Sequence, residues 1–154
     1  MLWKETAQVR LLGLKIPVLL FLGPRVLRLD EEISQILIPF GWRSRNHVGS
    51  MYFGALCAGA DLAGGLPAAR LIWADHRAVS LVFADVRGEF LKRADGDVLF
   101  TCRDGAAAAA AVREADRTGE RVTIPIQVTC TVPDRYGDEP VARFSLGLSM
   151  KRRG

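Results

Sequence analysis

Asp61 is the residue from which chemistry can be argued. It is the only acid in the stretch Asn46–Gly65, NHVGSMYFGALCAGADLAGG, which is otherwise mostly small or apolar. Burying a lone carboxylate in such surroundings is costly unless the group is paired or takes up a proton. Ser50 as N-cap, and the absence of β-branched residues after it, predict a helix over residues 50–63. Asp61 would then fall near its C-terminal end, where the helix macrodipole opposes negative charge. Burial and dipole together would raise its pKa toward the range in which a carboxylate works as a general base at neutral pH. The structural alternative is an acid held by a backbone N–H or an arginine. His47 is read as structural. Cys57, Cys102 and Cys130 are far apart in apolar surroundings with no CxxC spacing, so they read as reduced buried thiols, and no metal site is expected.

The elements around this helix read mainly as sheet. Gly54, Ala55, Ala58, Gly59, Ala60 and Ala63 give the helix a thin profile suited to close approach of other backbone, as in the concave face of a curved sheet. Gly64-Gly65 and Pro67 are expected to stop or kink it. Upstream, Thr6–Leu14 reads as an amphipathic helix with Thr6 as N-cap, and Lys15–Gly23 as an apolar segment over one end of the sheet, or alternatively a lid or interfacial anchor. Residues 25–29 and 33–38 read as a hairpin. Downstream, Val79, Leu81 and Phe83 alternate, and then the phase shifts to Val86 and Phe90, which predicts a bulge in one long strand. A turn at Ala94–Asp97 is expected to make a hairpin with the strand through Val98, Phe100 and Cys102. Asp104 is the expected cap of a surface helix through the alanine run, closed by Gly119. Two alternating strands, Val122–Val132 and Arg143–Met150, complete the chain, with Pro125 expected where the ladder needs no N–H. The layout is α+β: an antiparallel sheet of about six strands around one long helix, in a single domain over 1–154 with residues 1–24 packing on it.

Composition narrows the function classes. The net charge of +4 is spread thinly, and basic residues are not interleaved with aromatics, so a nucleic-acid partner is not expected. The run Ile16–Leu22 is too short to span a bilayer and contains Pro17. Lys4, Glu5, Gln8 and Arg10 interrupt the N-terminal apolar residues, unlike a signal peptide, and a cytoplasmic protein is the expectation.

Asn46, Gly49-Ser50, Gly54 and Asp61 resemble the pattern of the hotdog-fold thioesterases, in particular the phenylacetate-degradation branch. That pattern has an Asn, a Gly-Ser/Thr pair, a His-Gly-Gly and then an Asp or Glu. Phe90-Leu91-Lys92-Arg93-Ala94 and Gly96-Asp97 are similar to the family's strand-turn segment. With GSMYFGAL, ADLAGG and FLKRADGDV, residues 10–152 also resemble an uncharacterised hotdog branch. The resemblance implies a sheet wrapped round a central helix and a homodimer, with a tetramer as a further option. It also implies hydrolysis of an acyl-CoA or similar acyl thioester at a dimer-interface site, with coenzyme A part of the substrate and no other cofactor. Asp61 would activate water or attack the carbonyl, and Asn46 would position the water or the thioester. The backbone N–H of Phe53 or Gly54 would hold the oxyanion. Ser50 and Tyr52 would line the substrate, and Lys92 and Arg93 would meet the phosphates. Two positions depart from the family: Tyr52 stands for its His and Phe53 for the glycine after it. A non-catalytic acyl or CoA-binding protein and a purely structural dimer are the alternatives.

Overall fold

The alternating runs of the sequence form six strands in one antiparallel sheet, ordered β1-β2-β4-β5-β6-β3. A computed structural model describes residues 1–154. In chain order the elements are α1 (Trp3–Leu12), α2 (Pro17–Leu22), β1 (Arg25–Leu29), β2 (Ser34–Ile38), α3 (Phe53–Ala74) and β3 (Val79–Phe90). They continue with β4 (Val98–Cys102), α4 (Gly105–Thr118), β5 (Val122–Thr131), the single turn α5 (Pro133–Tyr136) and β6 (Pro140–Arg152). The sheet holds α3 in its concave face, with α4 packed on α3 and on β5 and β6. Phe100, Ile126, Phe144, Leu148 and Met150 fill the layer between. This is the α+β layout expected from the patterning.

Helix α3 departs from expectation at both ends. Its N-cap is Tyr52, with no side-chain cap; Ser50 lies outside the helix. It runs 22 residues and continues past Gly64, Gly65 and Pro67, which therefore do not stop it. Local propensity predicts a break there, but the site is buried and packing decides. Gly64 faces Ile126, Val128 and Leu146, and a Cβ at Gly65 would sit 3.3 Å from the Phe83 ring. Asp61 is therefore in the body of the helix, not at its end, so burial rather than the macrodipole acts on it. The close approach at the other glycines is also different in kind: rings, not backbone, occupy the space. A Cβ on Gly59 would lie 2.2 Å from the Phe100 ring, and one on Gly54 would lie 2.4 Å from the Tyr52 ring.

Strand β3 forms the edge of the sheet and carries the expected bulge. Its register against β6 slips between Phe83 and Asp85, so Leu81 and Phe83 oppose Met150 and Leu148, while Val86 and Phe90 oppose Leu146 and Ala142. Directly opposed residues share a face, so the bulge keeps the apolar positions on the concave side. The turn at Ala94–Asp97 does not close a hairpin. β3 pairs with β6, whereas β4 pairs with β2 and β5, so the turn is a crossover between opposite parts of the sheet. Alternation specifies faces, but not which neighbour a strand takes.

The side chains of the two expected caps serve tertiary contacts, although Asp104 does stand at the N-cap of α4. Thr6 lies inside α1, and its Oγ1 accepts from Val26 N at 2.9 Å, covering the β1 edge. Asp104 Oδ2 accepts from Gln127 N at 2.7 Å. Pro125 pairs with Gly147 beyond the last β4 partner of β5, Val128, so the missing N–H falls where β5 has no second neighbour.

Candidate active site

Asp61 lines a cavity of about 300 Å³ between α3, the N-terminal helices and β3. Leu62, Leu66, Trp73, Phe83, Ile16 and Leu19 supply much of its apolar wall, and Arg153 is its one cation. The carboxylate makes no side-chain hydrogen bond and no ion pair, and burial alone pushes its pKa up from the ordinary carboxylate value. A desolvated acid with no partner inside the protein is chemically available. It can take a proton from a water or present an oxygen nucleophile to an electrophile in the cavity.

The other predicted residues lie in the loop before α3 and the one after β3. Asn46 is knotted into its own loop: Oδ1 accepts from Val48 N at 3.0 Å and Ser50 N at 3.1 Å, and Nδ2 donates to Ser50 Oγ at 3.1 Å. The loop is held from outside by Met51 N, which donates to Ala94 O at 2.7 Å, and by the Arg93 guanidinium, which donates to Val48 O. Lys92 pairs with Glu139 at 2.8 Å and lies over the Tyr136 ring. Asn46, Ser50, Arg93 and the start of α3 therefore form one assembly. None of them lines the Asp61 cavity.

At the start of α3, Phe53 and Gly54 occupy the first turn, whose N–H groups have no intrahelical acceptor. Tyr52 turns its ring over Gly54 and meets Phe53 edge-to-face, with centroids 5.1 Å apart. From Gly54 to Asp61 the helix rises roughly 10 Å at about 1.5 Å per residue. One thioester carbonyl cannot span that distance, so the acid and the helix-start N–H groups of a single chain cannot act on the same atom. Tyr52 and Phe53 at the start of α3, and Val86 and Phe90 on the edge strand, are each half exposed or more, although Val86 and Phe90 lie on the concave face. An apolar surface of this kind next to an unpaired strand is what an interface needs.

The sequence reading did not find Arg153 or Trp73, nor the role of Ile16 and Leu19 in the cavity wall. Arg153 stands in the terminal run Lys151-Arg152-Arg153, which reads as solvated charge, and β6 is what carries it back to α3. Once Lys15–Gly23 is read as a lid, its unbroken apolar run Ile16–Leu22 is the available signal for a cavity wall. The thiols sit apart from this site. Burial raises Cys102 to about 11 and Cys130 higher still.

Among solved structures, PA5026 from Pseudomonas aeruginosa, described as a protein of unknown function and probable thioesterase, is 23% identical. The match has a TM-score of 0.73 and covers 94% of this chain and 93% of that one. The protein OLEI01261 from Chlorobaculum tepidum, of unknown function, is 13% identical with a TM-score of 0.80, covering 97% and 95%. The thioesterase HI1161 from Haemophilus influenzae is 16% identical with a TM-score of 0.66, covering 99% and 96%. At these identities the likeness is one of fold, and the fold is the hotdog fold. No curated protein matches the chain. The profile of the family described as Domain of unknown function (DUF4442) matches residues 5–147, and the chain belongs to that family.

Proposed function

We propose that this protein hydrolyses an acyl thioester such as an acyl-CoA, at a site completed by a second copy of the chain. The observation that carries the reading is Asp61, unpaired and desolvated on the wall of an apolar cavity. A volume near 300 Å³ falls at the small end of ligand pockets, which run from roughly 300 to 1,000 Å³. Its apolar lining suits an acyl chain, with the carboxylate at one side of it.

In the reaction, Asp61 takes a proton from water as the water oxygen bonds to the thioester carbonyl carbon. The oxyanion accepts from the N–H groups at the start of the partner's α3, at Phe53 and Gly54. Collapse of the tetrahedral intermediate breaks the carbon–sulfur bond. The thiolate leaves, the proton returns to it from Asp61, and the acid product departs. Asn46 and Ser50 shape the loop that sets the helix start, which makes them positioning residues. Lys92 and Arg93 are the cations for the phosphates, and would leave their present partners, Glu139 and Val48 O, to meet them.

The Tyr52 ring folded over Gly54 supports a second reading, acyl-thioester binding without turnover, because that ring and Phe53 crowd the expected oxyanion position. A panel of acyl-CoAs of graded chain length separates the two. Release of free thiol by the wild-type protein supports hydrolysis. Saturable binding without thiol release supports the second reading, and neither binding nor release removes both.

A further inference from the structure

The N-terminal segment presents an apolar surface that the sheet, α3 and the Asp61 cavity leave unused. Helix α2 is two-sided: Leu19 and Leu22 are buried, while Val18 and Phe21, three residues apart on the same face, are exposed. Leu14, in the turn before α2, is 70% exposed. Trp42 is also 70% exposed and sets its ring edge-to-face with Phe21, centroids 5.5 Å apart. The Arg43 guanidinium lies over both rings, 5.7 Å from Phe21 and 5.6 Å from Trp42. The loop after β2 and helix α2 thus form one surface.

The stretches of chain that build it are basic, and Arg43 lies on the surface itself. No acid occurs between residues 6 and 29 or between 33 and 60, while Arg10, Lys15, Arg25, Arg43 and Arg45 all fall in those stretches. None of these five forms an ion pair. Asp97, which does meet the 40s loop, is turned onto Phe40 N at 2.8 Å. Glu5, the one acid of the first 29 residues, lines a different groove with Lys4 and Arg70.

We propose that this face docks the protein on an anionic lipid surface. Leu14, Val18, Phe21 and Trp42 would enter the interfacial layer, and Arg43 with its neighbouring cations would meet lipid phosphates. A second copy is the poorer fit. A two-fold interface must be self-complementary, and the stretches that build this face offer a second copy's Arg43 no acid to pair with. This surface does not depend on thioester hydrolysis at Asp61.

Co-sedimentation of the full chain with vesicles tests it, using equimolar phosphatidylcholine and phosphatidylglycerol beside phosphatidylcholine alone. The wild type is expected to pellet with the anionic vesicles and to be released by added salt. Arg43→Glu, and separately the double variant V18S/F21S, are expected to weaken that binding by roughly tenfold or more, since each cation near the surface and each buried methylene contributes. Circular dichroism and melting temperature should be close to wild type, because these side chains are exposed. Absence of wild-type binding would overturn the proposal, as would equal binding by the variants. A fall in oligomeric mass of the variants without any vesicle binding would overturn it in favour of a second copy.

Discussion

Half-buried and without a partner, Asp61 has a titration signature that can be read without any substrate. Its pKa in the fold lies above the unfolded value, so the folded chain holds the proton to higher pH. Stability from this group is complete below the unfolded carboxylate pKa, near 4, and is lost as pH rises through the folded value. Asp61→Asn, which keeps the shape and cannot ionise, is therefore expected to melt above wild type at pH 7. Denaturation at a series of pH values should show the gap closing as pH falls toward 4. A gap independent of pH would mean that Asp61 is not a desolvated acid. Asp30 behaves in the opposite sense. Hydrogen bonds from Ile33 N and Glu32 N, with Arg28 beside it, hold its carboxyl at about 2, so the hairpin turn keeps that support above the ordinary carboxylate range and loses it only in strong acid. Of the chemistry, the sequence made Asp61 and its isolation legible. It did not show that Asn46 satisfies its own loop, because hydrogen bonds between residues four apart in an irregular turn leave no periodic trace.

At the scale of the element, α3 shows where packing overrides propensity. Gly59→Ala should gain about 1 kcal/mol of helix propensity, yet the added methyl would meet the buried Phe100 ring at 2.2 Å. Overpacking of that kind costs about 1–3 kcal/mol, so the variant is expected to unfold at lower denaturant than wild type. A rise in the midpoint would show that the sheet opens readily around the helix. The same packing explains why the helix outruns its apparent stop. Gly64, Gly65 and Pro67 are punctuation in an exposed chain, but here the concave sheet encloses them. The bulge in β3 was legible from the phase of its apolar residues. The partner of β4 was not, because alternation carries no record of strand order. Asp104 stands at the N-cap of α4 as expected, but its carboxylate and the Thr6 hydroxyl inside α1 bond to neighbouring strands, because a short polar side chain at a helix start can as well serve a strand.

At the scale of the molecule, the fold follows from patterning, while the proposed thioester site needs groups that one chain does not bring together. Asp61 and the N–H groups at the start of α3 lie about two helical turns apart, and the concave residues Val86 and Phe90 remain uncovered beside a free strand edge. The proposed dimer, if built on β3, would account for both facts. Val86→Glu places a charge on that edge without disturbing the buried core, and sedimentation velocity is expected to show a dimer for wild type and a monomer for the variant. Unchanged mass would place the interface elsewhere.

The central claim, that Asp61 performs the chemistry, is tested most directly by thiol release from the best substrate of an acyl-CoA panel, measured for wild type and Asp61→Asn at saturating substrate. Removing the base is expected to lower kcat by about a hundredfold or more with binding retained. Equal kcat for the two proteins would contradict the account.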